Sequence, residues 1–139
     1  MTVFVDTAVL MYAAGEEHPL RRPSARLLER IATGDLDAVT SVEVVQEILH
    51  RFMALRRPKV GVEMAQHTLD LFAPVLPVTH AVMRRVPALV GRYPKLAARD
   101  LVHVATCVHE GIQEIVSPDL GFDFVEGLHR RDPADLDRP

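Results

Sequence analysis

The 139-residue chain reads as one α/β domain, a central parallel sheet of four to five strands with helices on both faces. Two observations predict this. Short apolar or β-branched runs alternate with longer segments of helical periodicity, the pattern of right-handed crossovers between parallel strands. The composition, 48% hydrophobic and 25% charged, suits a chain that builds its own core. The single Cys107 excludes an internal disulfide framework and a multi-cysteine zinc site.

TVFV (2–5) is a compact strand running into Asp6. Residues 8–14 form a short helix closed by Gly15. Pro19 opens an amphipathic helix with Ala25, Leu27, Leu28, Ile31 and Ala32, stopped by Gly34. DAVT (37–40) is a second strand. Thr40 and Glu43 match a capping box, so 41–56 is expected to be helical, with Glu43 as a cap. Pro58 opens a helix over 60–73 that Pro74 ends. VLPV (75–78) is a third strand candidate, demoted to an edge or strand end by Pro77. Residues 79–93 are helical, with a kink or break expected at Pro87. Residues 96–110 form a helix ended by Gly111, and EIVS (114–117) is the last strand. A turn follows at 118–121. The domain is expected over 1–131, with a polar, frayed tail over 132–139. No apolar run approaches the ~18 residues of a membrane span. No basic leader precedes the first strand, so a cytoplasmic protein is expected.

Carboxylates collect where such sheets build sites, at the carboxyl ends of strands. Asp6 follows the first strand, Glu47 lies on the helix after the second, and Asp119 and Asp123 follow the last. Taken singly, Asp6 and Asp119 also fit turn or cap roles, and Glu47 fits an i,i+4 pair with Arg51. Asp100 is harder to explain away. At ~100° per residue, Leu96, Val104 and Cys107 lie within ~40° of it, so it sits centrally on the apolar face of its helix. A carboxylate buried there needs a partner, and Arg99 points elsewhere. A cluster of carboxylates favours a hard cation, Mg²⁺ or Mn²⁺. His103 reads as a packing or orienting residue one turn from Asp100. His103 and Cys107 make at most half a zinc site.

These segments resemble the PIN-domain family, and within it the VapC-type toxins of toxin–antitoxin modules. FVDTAVLMYA (4–13) is similar to the family's opening strand, Asp and helix. TSVEVVQEILHR (40–51) is similar to its second element, and RDLVHVATCVHEGIQEIVSPDLGFDFVEGL (99–128) to its third. The resemblance implies that Asp6, Glu47, Asp100 and Asp119 are the acidic positions of a metal-dependent endoribonuclease. Asp6, Asp100 and Asp119 would hold Mg²⁺ or Mn²⁺, with Glu47 ligating directly or through water. Thr7, Ser117, Asp123 and His103 would support them. Hydrolysis by in-line attack would leave 5′-phosphate and 3′-hydroxyl ends. The resemblance further implies an antitoxin protein as partner, a homodimer, and DNA contact only through the antitoxin. A non-catalytic PIN scaffold for RNA or protein is the alternative.

The two lysines, Lys59 and Lys95, lie away from strand ends, which excludes receiver-type and dehalogenase-like phosphoryl chemistry; no P-loop motif is present. Arg56, Arg57, Lys59 and Arg99 are candidate phosphate contacts, arginine's fork being suited to phosphate. The net charge of −3 does not argue against RNA. Setting five site carboxylates aside leaves 14 acidic against 16 basic side chains, a slightly basic remainder.

Overall fold

In a computed structural model, residues 1–136 are described. Four parallel strands form one sheet in the order β2-β1-β3-β4, made of β1 (Val3–Val5), β2 (Ala38–Val39), β3 (Glu114–Val116) and β4 (His129–Arg131). β1 pairs Val3 with Ala38 on one side and Val3 with Glu114 on the other. Consecutive strand residues point to opposite faces. All three residues of β1 are buried, so helices cover both faces.

Seven helices are present among the described residues: α1 (Thr7–Ala14), α2 (Arg21–Ala32), α3 (Val42–Ala54), α4 (Pro58–Leu71), α5 (His80–Arg92), α6 (Ala98–Glu110) and α7 (Pro133–Leu136). α1 and α2 carry the chain from β1 to β2, and α3 to α6 carry it from β2 to β3. A 3-10 helix at Leu120–Phe124 bridges β3 and β4. The core gathers Phe4, Val5, Val9, Val44, Ile48, Leu101, Val104, Ile115 and Phe122, all essentially inaccessible.

Four expectations need correction. VLPV (75–78) is not a strand. It makes one bridge, Ser41 to Leu76, beyond the end of β2, because Pro74 and Pro77 have no N–H to continue a ladder. The Thr40–Glu43 capping box does not form. Ser41 is the N-cap of α3, and the Thr40 hydroxyl is spent on the Val5 carbonyl at 2.8 Å. α5 runs unbroken through Pro87. The carbonyl that Pro87 cannot bond belongs to Met83, and both residues are exposed, so water can serve it. β4 was not foreseen.

The polar segment after Asp132 is partly helical. Pro133 is buried, α7 packs on α2, and Arg30 Nη1 donates to the Leu136 carbonyl at 3.0 Å. Positions 137–139 of the expected tail lie outside the described residues.

Candidate active site

The site grows from the ends of β1 and β3. Asp6 is the first residue past β1. Its N–H still bonds the Val116 carbonyl of β3, and its side chain turns to cap α1 by accepting the Thr7 N–H at 2.8 Å. An Asp at an N-cap is locally favoured, and that fixes one carboxylate oxygen. The other accepts the Ser117 hydroxyl at 2.6 Å. Ser117 is the first residue past β3 and in turn accepts the Asp119 N–H at 3.0 Å. Ser117 therefore has both hydroxyl functions used, one on each of two expected site carboxylate residues.

Glu47 comes from the middle of α3 and is buried. The Thr7 hydroxyl donates to its Oε1 at 2.9 Å, and its Oε2 lies 3.2 Å from Arg99 Nε and 3.3 Å from Arg51 Nε. Thr7 thus ties Asp6 and Glu47 together, through its amide and its hydroxyl. The i,i+4 pair with Arg51 exists, but Arg99 shares it.

Asp100 is half-buried at the third position of α6, where Oδ2 accepts the Ala97 N–H at 3.3 Å. This is one half of a capping box; Ala97 has no side-chain acceptor for the other half. His103, one turn on, is fully buried against Phe4. Its Nε2 lies 3.6 Å from both Asp6 Oδ1 and Glu47 Oε1. That is too long for a hydrogen bond, and both ring nitrogens lack a hydrogen-bond partner. Asp6, Asp100 and His103 each offer one ligand atom within 4.8 Å of the others.

Burial raises the Asp6 and Asp100 carboxyls above the usual range, and each is pushed further by another carboxylate, Glu47 for Asp6 and Asp6 for Asp100. Burial also opposes charge on Glu47, but His103, Thr7 and Arg99 outweigh it and hold Glu47 below the usual range. For His103, burial works against the imidazolium, and the nearby Glu47, Asp6 and Asp100 prevail and raise its pKa. The carboxylates are therefore balanced from within the chain by His103, Arg51 and Arg99.

Of the expected residues, Asp6, Glu47, Asp100, Thr7, Ser117 and His103 come together, with Arg99 against Glu47. Asp119 stands at the rim. It is exposed and its Oδ1 accepts the Gly121 N–H, yet its charge still reaches Asp100. Asp123 is exposed and is paired to Arg130 Nε at 2.8 Å. Arg130 also donates to the Ser117 carbonyl at 3.0 Å, which links Asp123 to the site through β4. Sequence reasoning missed Arg130, since nothing in HRR marks it. Arg56, Arg57 and Lys59 are exposed at the α3–α4 junction; at helical rise they lie roughly 15 Å along the chain from Glu47. Cys107 is buried and is not among the residues whose ligand atoms gather at the site, and burial and Asp6 push its thiol up to about 12.

A parallel α/β sheet with carboxylates and a buried imidazole gathered at its carboxyl edge is a domain of the class that builds its site at a strand-order reversal, with a donor set that could hold a cation. The PIN domain family matches residues 3–128, and the chain belongs to that family. It is 34% identical over 128 residues to ribonuclease VapC13 of Mycobacterium tuberculosis, covering 92% of this chain and 98% of that one. It is 36% identical over 117 residues to ribonuclease VapC23 of the same species, covering 84% and 92%. Among solved structures, the fold is similar to VapBC2 from Rickettsia felis bound to a promoter DNA fragment, at a TM-score of 0.74 and 13% identity, covering 95% and 98%. It is similar also to FitAcB from Neisseria gonorrhoeae, at a TM-score of 0.72 and 22% identity, covering 96% and 99%.

Proposed function

We propose that this protein is a metal-dependent endoribonuclease that hydrolyses RNA to 5′-phosphate and 3′-hydroxyl ends, and that it is the toxin of a type II toxin–antitoxin pair. The observation that carries the reading is the convergence of Asp6, Asp100 and His103 within 4.8 Å at the sheet's carboxyl edge. The near-full-length likeness to ribonucleases of the VapC type supports it.

The donor set fits a divalent cation. Asp6 and Asp100, raised by burial and by neighbouring carboxylates, stand beside a buried imidazole whose two nitrogens have no hydrogen-bond partner, a donor set that a cation would complete. Asp6 and Asp100 would hold Mg²⁺ or Mn²⁺, with Asp119 reaching in from the rim and Glu47 beside them. When bound, the ion supplies an activated water and offsets charge building on the phosphate. The chain does the rest. Ser117 and the Thr7 amide fix Asp6, and the Thr7 hydroxyl and two arginines fix Glu47. Arg99 and Arg51, each 46% exposed, stand ready to meet a phosphate oxygen. His103 keeps the carboxylates in place electrostatically.

An antitoxin partner follows by analogy with the VapBC complexes, and with it homodimerisation and DNA contact through that partner alone. A cytoplasmic site of action is part of the proposal; no helix of the described residues is long and apolar enough to cross a membrane. The test is cleavage of total cellular RNA by the purified protein with Mg²⁺ or Mn²⁺, against Asp6→Asn. Loss of a metal ligand is expected to lower the rate at least about 100-fold, in line with the kcal/mol cost of such electrostatic contacts. Equal cleavage by both proteins sinks the catalytic reading and leaves a non-catalytic scaffold.

A further inference from the structure

Beside the acidic cluster lies a hollow of 270 Å³ lined by Arg92, Tyr93, Pro94, Lys95, Leu96, Gly121 and Phe124. Its two walls are the segments that carry site carboxylates. One leads from α5 into Asp100 and the other leads out of Asp119. They touch at Gly121, where an added Cβ would come 2.8 Å from Leu96 Cδ2 and 3.7 Å from the Lys95 carbonyl. The same Cβ would come 3.1 Å from Asp119 Oδ1, so the floor of the hollow lies against the segment that carries Asp119.

Its chemistry is distinctive. Phe124 is 60% exposed, an unusual place for a phenyl ring at the end of a 3-10 helix whose Phe122 is fully buried. The Lys95 ammonium lies 4.5 Å from the Phe124 ring centroid and forms no ion pair among the described residues. Arg92 stacks on Tyr93 at 5.3 Å and is neutralised by Glu126 at 2.6 Å; the Tyr93 hydroxyl accepts the Glu126 N–H. Lys95 is therefore a cation of the hollow with no ion-pair partner among the described residues, resting over one face of Phe124, whose ring is the hollow's exposed aromatic surface. An aromatic face beside a cation, along a groove that tracks a backbone, is how proteins hold unpaired nucleotides. At ~2 Å per residue, Phe124 lies about 10 Å along the 3-10 helix from Asp119, within one to two nucleotides of it along a bound strand.

We propose that the hollow between Lys95 and Phe124 is a subsite for one unpaired nucleobase and its phosphate, next to the position of cleavage. The base stacks on Phe124, and Lys95 meets the phosphate. The subsite makes the enzyme prefer single-stranded RNA at that position, because a base held in a duplex cannot reach the ring. The inference rests on the nuclease reading for its role and on the hollow alone for its chemistry.

The experiment measures binding of a fluorescent single-stranded RNA oligonucleotide to Asp6→Asn protein, which does not cut it. Adding Phe124→Ala is expected to weaken binding roughly 5- to 100-fold, and Phe124→Trp to preserve it. Lys95→Ala is expected to reduce the salt dependence of binding by about one ion. An oligonucleotide carrying one abasic position should lose affinity for the parent and lose none for Phe124→Ala. Unchanged affinity in Phe124→Ala overturns the subsite, including the case in which that variant instead alters self-association and so marks a protein contact. If wild type cuts RNA and Phe124→Ala binds like its parent, the subsite fails and the nuclease stands. If wild type cuts nothing but the Phe124 effect persists, the nuclease reading fails and the subsite stands.

Discussion

Ser117 is the smallest residue with a large share of the site. Its hydroxyl donates to Asp6 and accepts from the Asp119 backbone, so it joins two strand ends at one atom. Hydrogen bonds to charged groups contribute ~1.5–3 kcal/mol. Ser117→Ala is therefore expected to lower the melting temperature by several degrees and, at a temperature where the variant stays folded, to lower kcat/KM about tenfold or more, with Ser117→Thr restoring most of the rate. Cys107 makes the opposite case, a residue of reactive type held inert. With its thiol pushed up to about 12, almost none is thiolate at neutral pH. A thiol reagent at pH 8 is expected to label it only after denaturant is added, and rapid labelling of native protein would contradict the burial described. Residues at this scale were readable in the sequence when local pattern constrained them. Asp6 stood at a strand end, and Asp100 stood in the middle of an apolar face. Arg99 and Arg130 were not readable as partners of Glu47 and Ser117, because those contacts join segments far apart in the chain and leave no periodic trace.

The elements obey their local signals where packing agrees with them. α6 ends at Gly111, whose φ of 70° is the left-handed conformation glycine adopts freely. α4 crosses α3 at Gly61, where a Cβ would come 2.8 Å from Phe52 Cβ. Gly61→Ala gains about 1 kcal/mol of helix propensity but forces an overpacking cost of ~1–3 kcal/mol. A net loss is expected, seen as a lower urea midpoint with an unchanged slope. The strands show why the remaining elements were hidden. HRR at 129–131 has no β-branched residue, and it is a strand only because it pairs in register with Glu114–Val116. VLPV looks better as a strand and makes one bridge, since Pro77 and the preceding Pro74 have no N–H to donate. Strand identity here depends on what lies alongside, which a linear pattern does not contain.

At the scale of the molecule, the sheet order β2-β1-β3-β4 takes the chain from β1 outward to β2 and then back across β1 to β3, so the order reverses between β1 and β3. That reversal opens the crevice in which the carboxylates meet. The far end of the domain is closed by α7, through buried Pro133 and the Arg30 bond to Leu136. Deleting residues 133–139 is expected to lower the melting temperature by a few degrees, from about 1–2 kcal/mol of lost packing, and to leave RNA cleavage intact. Loss of cleavage in the truncated protein at a temperature where it stays folded would show that the segment reaches the site. The bond from Ser117 to Asp6 spans 111 positions of the chain. A ribosome making this protein has to deliver residue 117 before that bond can close, so a chain ended earlier holds Asp6 without its Ser117 donor.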